Sequence, residues 1–376
     1  MNRRTFFQDL GNKTAGFAGF VTLLNTFDTR TAYSQTAEVK NWVWITTEIN
    51  TADDDWKRKF NNLKKAGFDA ILPEIYTGRY AYFGSEYVPV KVELLERLIP
   101  IARSFDLEIH PWMWCMPCML EDIRNNYPDW YMVNRLGESC LNKPAYVDYY
   151  KFLCPSKQEV HEFLKRMVME LCKYDVDGIH LDYIRYPDVI LAKGLWEKYN
   201  LVQDKEYPQF DYCYCSTCRQ KFKNQEGIDP LDIKDPSMHR SWLQFRYGQI
   251  TSLVNDTLIP AAHKNGKLIS AAVFPNWRNV RQEWRVWKLD AVFPMLYNQF
   301  YLTNAEWIKQ TCKEGIKSLQ YSTKLYSGLM IDKPDKFREY IVKSLQGKAA
   351  GISVFSLRRL TDVHFKMLTP LLKKNE

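Results

Sequence analysis

From residue 40 onward one unit recurs along the chain. A short, nearly unbroken apolar run ends in polar or aromatic residues, and a stretch follows whose apolar residues return every three to four positions. The runs fall at 42–48, 69–76, 108–114, 178–186, 268–275, 291–297, 325–331 and 351–357. Apolar residues at consecutive rather than alternate positions predict strands covered on both faces, as in a parallel sheet. Between the runs the period is helical. Trp56, Phe60 and Leu63 mark one face of a helix that opens on Asp53-Asp54-Asp55, acids suited to the positive start of a helix. Val160, Leu164, Met167 and Leu171 form the buried stripe of another, with Ser156-x-x-Glu159 as its expected capping box. Gly67 and Gly315 are expected helix stops.

Eight strand–helix units predict an α/β protein of the (β/α)8 TIM-barrel type, with residues 40–376 as one barrel domain. A doubly wound open sheet would carry a Gly-x-Gly-x-x-Gly turn after its first strand, and none is present. The rhythm breaks once, at a long insertion between strands four and five covering residues 187–266. Its second part, 239–264, has a helical pattern; its first, 187–238, reads as an inserted loop that contains cysteines. Ahead of the barrel, residues 1–34 combine a basic start with Arg3-Arg4, an apolar stretch from Ala15 to Leu24, and a small-x-small site at Ala32-Tyr33-Ser34. That is the layout of an export signal, and the arginine pair resembles the twin-arginine kind. The expected location is therefore periplasmic or extracellular.

Charge and composition narrow the partners. The net charge of +8 is spread along the chain without blocks, so no nucleic-acid footprint is expected. No internal apolar run is long enough to span a membrane in the mature form. Aromatic residues reach 15%, with 12 Trp and 23 Tyr, which suits either a ring-packed core or stacking on sugars.

In a barrel, chemistry gathers at the C-terminal ends of the strands. The residues expected there are Glu48 after strand one, Glu74 in strand two, His110, Trp112 and Trp114 in strand three, Asp182 and Arg185 from strand four, Trp277 after strand five, and Tyr297 and Asn298 after strand six. Carboxylates walled by aromatic rings suit glycoside hydrolysis, in which one acid protonates the leaving oxygen and one carboxylate acts as nucleophile or base. Along 178–186, Asp182 faces the same side as His180 by strict alternation. A carboxylate in such an apolar strand is costly unless it is paired or opens to water, and Arg185 is its expected partner, keeping it ionised. Asp182 is thus the expected nucleophile or base and Glu74, beside Pro73 in an apolar run, the expected acid, with Glu48 and the loop acids Asp188, Asp211 and Glu283 as alternatives. Arg185, His110, Trp112, Tyr297, Asn298, Trp277 and Glu48 are expected to bind substrate, and His180 to be a core histidine.

The stretch Asp177-Gly178-Ile179-His180-Leu181-Asp182-Tyr183-Ile184-Arg185-Tyr186-Pro187 resembles the signature of the glycosyl-hydrolase-like family 10. Leu153-Cys154-Pro155-Ser156-x-x-Glu159-Val160, His110-x-Trp112 and Phe293-Pro294-x-Leu296-Tyr297 resemble that family too. The resemblance implies a barrel hydrolase acting on glycans, often exported, with Asp182 as its leading active-site acid. Some members cut the glycan strands of peptidoglycan. Where members often carry an Arg-Gly-Asp turn after strand two, this chain has Gly78-Arg79-Tyr80, so no second acid carries over from that loop. The glycan substrate is thus expected to meet a monomer that requires no cofactor. A glycan-binding barrel without turnover is the rival reading, favoured by the lack of acids at the ends of strands five and six.

Nine cysteines remain to be explained. Cys213-x-Cys215-x-x-Cys218 in the insertion supplies most of a structural zinc site, or pairs as disulfides in an oxidising compartment. A fourth ligand comes from elsewhere, Cys115-x-x-Cys118 being able to supply it if the two loops meet, while Cys140, Cys154, Cys172 and Cys312 read as ordinary buried thiols.

Overall fold

The computed structural model describes residues 39–373; the export signal expected at 1–34 lies outside the described residues. Each predicted apolar run contains strand. Trp42–Ile45, Ala70–Tyr76, Gly178–Asp182, Leu268–Val273, Ala291–Pro294 and Ile352–Phe355 are single segments. The third barrel position is split into Glu108–Ile109 and Trp112–Trp114, and the seventh into Lys324–Leu325 and Ser327–Met330. The third breaks at His110-Pro111, where proline has no N–H to give the ladder. At the seventh, Tyr326 N–H donates to Val292 of the sixth strand and Ser327 N–H to Gly351 beside the eighth, so one strand joins both neighbours. Every strand pairing is parallel, and the eighth strand pairs with the first, which closes the barrel.

Closure brings the chain's own backbone close at Gly351. A Cβ there would lie 1.9 Å from the Lys40 carbonyl oxygen, so only glycine fits. The helices follow the predicted stripes: Trp56, Phe60 and Leu63 are buried on Asp53–Lys65, and Val160, Leu164, Met167 and Leu171 on Gln158–Leu171. Gly67 ends the first of these with φ +92°. Gly315 does not end a helix. It lies inside Ala305–Ser318, where a Cβ would come within 2.8 Å of Leu325 Cδ1. The capping box at Ser156 is not formed either: Lys157 occupies the N-cap, and the Ser156 hydroxyl lies 3.1 Å from Cys218 Sγ instead.

Two apolar layers result. The strands' outer faces pack under the helices, while Trp42, Trp44, Leu72, Trp112, Phe293 and Tyr326 fill the barrel interior. Much of the high aromatic content is therefore core. His180 belongs to that interior. Its Nε2 accepts from Trp44 Nε1 at 3.0 Å and its Nδ1 faces Ser270 Oγ at 2.9 Å. An indole N–H can only donate, so Nε2 is bare and Nδ1 carries the proton. Burial holds this imidazole neutral, its pKa pushed well below the usual histidine value. In the insertion, short 3-10 turns lead to helix Ser216–Glu226, and Arg240–Ser252 continues through a π-helical turn, Leu253–Leu258, to His263. Among the described residues no helix is long and apolar enough to cross a membrane.

Candidate active site

The fourth strand ends on Asp182 at the barrel mouth. Strand alternation keeps Ile179 and Leu181 in the layer under the helices and turns His180 and Asp182 inward. The next residue, Tyr183, takes φ +49°, a left-handed conformation that costs a bulky residue about 1–3 kcal/mol. That turn aims its N–H at Asp182 Oδ1, 2.6 Å away. The other oxygen, Oδ2, accepts from Trp112 Nε1 at 3.0 Å. Burial pushes the Asp182 carboxyl up to about 6, against the pull of the Tyr183 N–H, the Arg185 charge and the Trp112 indole; the negative charge of Glu74 adds to the rise.

Glu74 faces the same space from the second strand. Its Oε1 accepts from Trp114 Nε1 at 3.1 Å, and its Oε2 from Thr47 N–H at 3.2 Å and Thr47 Oγ1 at 2.9 Å. Burial raises this carboxyl too, while the hydrogen bonds from Thr47 and Trp114 oppose it. The third strand lies between the two acids. Trp112 and Trp114, two residues apart on its inward face, send one indole to each carboxylate.

Both acids open into a cavity of about 350 Å³. Its walls include Tyr149 and Tyr150 from the loop after strand three, Tyr183, Phe274 after strand five, and Tyr297. The site therefore offers two carboxylates held by neutral N–H and O–H donors, with ring faces around them. A model of the family described as Glycosyl hydrolase-like 10 matches residues 37–335. The chain belongs to this family.

Solved structures agree on the architecture. The catalytic domain of β-amylase from Paenibacillus polymyxa superposes with a TM-score of 0.60 at 10% identity, covering 87% of this chain and 94% of that one. A β-galactosidase from the psychrophilic Marinomonas ef1 gives 0.62 at 11% identity, covering 89% of this chain but 59% of its own. The α-L-fucosidase isoenzyme 2 of Paenibacillus thiaminolyticus gives 0.53 at 14%, covering 88% of this chain and 48% of its own. At such identities the likeness is one of fold: this member of the family is a glycosidase-like (β/α)8 barrel. Among curated protein sequences none matches it significantly.

Of the residues expected at the mouth, Asp182, Glu74, Trp112, Trp114, Tyr297 and Arg185 share the cavity. Arg185 does not pair with Asp182, however. Its Nη1 donates to Asp188 Oδ2 at 3.0 Å and its Nη2 to Tyr150 Oη at 3.1 Å; three positions on from Asp182, it falls on the opposite face by alternation, and the strand has already ended at Asp182. His110 lies at the opposite end of the barrel, beside Lys40, Trp42 and Asp290. It sits at the break in the third strand, too early to reach the mouth. Trp277 is outside the cavity, in the 3-10 turn Trp277–Val280, with the guanidinium groups of Arg278 and Arg285 at 4.3 and 5.4 Å from its ring centroid. Asn298 starts helix Asn298–Tyr301 and donates to the Thr303 carbonyl. Glu48 is turned to a separate surface cleft, paired with Lys59. Of the loop acids, Asp188 lines the cavity as the Arg185 partner, Asp211 is locked to Arg246 and Arg281, and Glu283 to Arg285.

The sequence reading missed the tyrosines of the loop after strand three, which the run Tyr146-Val-Asp-Tyr149-Tyr150 signalled by density alone. It also missed Thr47, which braces Glu74. The cysteine assignment changes as well. Cys213, Cys215 and Cys218 gather with Cys154, not with Cys115 or Cys118, so Cys154 is no ordinary core thiol.

Proposed function

We propose that this family member is an exported glycoside hydrolase that cleaves a glycosidic bond in a polysaccharide or peptidoglycan-type glycan, with Asp182 and Glu74 as its two working carboxylates. One observation carries the reading: two inward carboxylates open into one aromatic-walled cavity, and every hydrogen bond recorded to either of them comes from a neutral donor. Such acids can change protonation state, and the reaction needs one that does.

The hydrogen bonds favour exchanging the roles expected from the sequence. Three donors on Glu74 favour its charged form, whereas the more deeply buried Asp182, at about 6, is poised to hand over a proton near neutrality. Asp182 then protonates the glycosidic oxygen as the bond to the anomeric carbon breaks. Glu74 stabilises the cation-like centre, as nucleophile or as the base that activates the incoming water. Tyr149, Tyr183 and Tyr297 present faces and hydroxyls to the sugar, and the Arg185–Asp188–Tyr150 group holds that wall in place. Export rests on the signal-like residues 1–34; a mature chain beginning after Ser34 in the secreted fraction is the expected result of N-terminal sequencing.

The test is release of reducing ends from a panel of polysaccharides and peptidoglycan. Wild type is expected to act on at least one member, and Asp182→Asn to lose that activity while still binding it. Binding without turnover across the panel would instead establish a glycan-binding barrel.

A further inference from the structure

Cys154 precedes the helix Gln158–Leu171, while Cys213, Cys215 and Cys218 sit in the insertion, yet the four sulfur atoms lie within 4.8 Å of one another. All four residues are buried. Cys154 Sγ is 3.6 Å from Cys215 Sγ and 3.5 Å from Cys218 Sγ. A zinc–sulfur bond of about 2.3 Å gives a tetrahedral thiolate cage an edge of about 3.8 Å, close to these separations. A disulfide needs about 2.05 Å. We propose that these four cysteines bind one Zn²⁺ as a structural tetrathiolate that clamps the insertion to the loop after strand three.

The surroundings suit such a centre. Cys215 is the N-cap of helix Ser216–Glu226 and Cys218 lies in its first turn, so the positive end of that helix faces the thiolates. The Cys218 thiol donates to Ser156 Oγ at 3.1 Å, and once that thiol is deprotonated the same hydroxyl can rotate to donate to the sulfur. Tyr186, 1% exposed, has a hydroxyl with no hydrogen-bond partner and is an electrostatic neighbour of Cys154, Cys213 and Cys218. Binding converts four thiols and one Zn²⁺ into a complex of net charge −2 and releases four protons. Lys157 and Lys221 flank the site, their ammonium groups held by Asp129 and the Ser156 carbonyl.

The position gives the ion a purpose. Tyr149 and Tyr150 lie just before Cys154 in the chain, and Asp188 and Tyr199 lie in the insertion before Cys213; all four line the cavity. Backbone pairing across the same junction, Tyr214 N–H to the Val133 carbonyl at 2.7 Å, is the seam that the metal fastens. Both loops of the aromatic wall are thereby tied at one point.

Elemental analysis of the full chain, purified without chelator, is expected to give about one zinc per molecule. Modification of the thiols should release it to a chromophoric chelator. Cys154→Ser and Cys215→Ser are expected to lose the zinc and to become susceptible to limited proteolysis within 187–238, while Cys172→Ser keeps its metal. Substoichiometric metal in the wild-type chain, iron in place of zinc, or an intact mass two hydrogens lighter per disulfide would overturn the proposal. These readouts need neither a folded variant nor a known glycan.

Discussion

The two ends of the barrel hold cavities of similar size, about 350 Å³ at the mouth and about 390 Å³ at the base, and each has acids and aromatic rings in or beside it. Their electrostatics are opposite. At the base, Glu108 is bound to Lys40 Nζ at 2.5 Å and to His110 Nε2 at 3.2 Å, and Asp290 to His263. Burial works to raise the Glu108 carboxyl, but His110 and Lys40 outweigh it and bring it down to about 2. At the mouth, Asp182 and Glu74 receive only indole, hydroxyl and backbone donors, and both are raised. A carboxylate matched by a cation stays ionised and fastens the fold. One solvated by neutral dipoles is free to carry a proton.

Breaking this contrast is the most direct test. Glu74→Gln is expected to lower kcat by about 10²–10⁴-fold, the range for loss of a working acid or base, while Glu108→Gln leaves kcat within about threefold. Equal losses from both would erase the distinction between the ends. The pH profile sharpens it. With Asp182 as the acid, kcat/KM falls about tenfold per unit as pH rises above about 6; a fall below pH 6 instead would assign Asp182 the ionised role.

Stability gives the smaller signals, of opposite sign. Asp182 has a folded value above its ordinary 3.8, so its contribution is complete below about pH 4 and is lost as pH rises through about 6, on the order of 3 kcal/mol. Glu108 is lowered from 4.5 to about 2, so its contribution is present above pH 4.5 and is lost as pH falls towards 2. Its side chain is 34% exposed, and screening brings this to about 1 kcal/mol. Denaturant titrations from pH 2 to 8 should show the first slope vanish in Asp182→Asn and the second in Glu108→Gln, whatever the absolute stability of either variant.

The barrel was legible because burial on both strand faces is written locally, as runs such as Ala70–Tyr76 and Leu268–Val273. Asp182 and Glu74 were legible for the same reason, since alternation within a regular strand sets their facing. Errors began where regular strand stops. Trp277 and Asn298 lie four residues past the last strand residues Val273 and Pro294, where turns redirect the side chains. Arg185 stands three positions past Asp182, a spacing that alternation puts on the opposite face, and His110 sits at a proline break. Cys154 joins its partners across about sixty residues, and spacing along a chain carries no record of which distant loops meet.

Trp112 and Trp114 hang from one short strand and reach the two acids on either side of it. The third strand therefore acts as a calliper: a single piece of backbone gauges the gap across which a bond would be cleaved. Tyr149 and Tyr183 rest against the Trp114 ring, at 5.5 and 4.7 Å between centroids, so the aromatic wall steadies that gauge, and a change at either indole would shift the acid it holds.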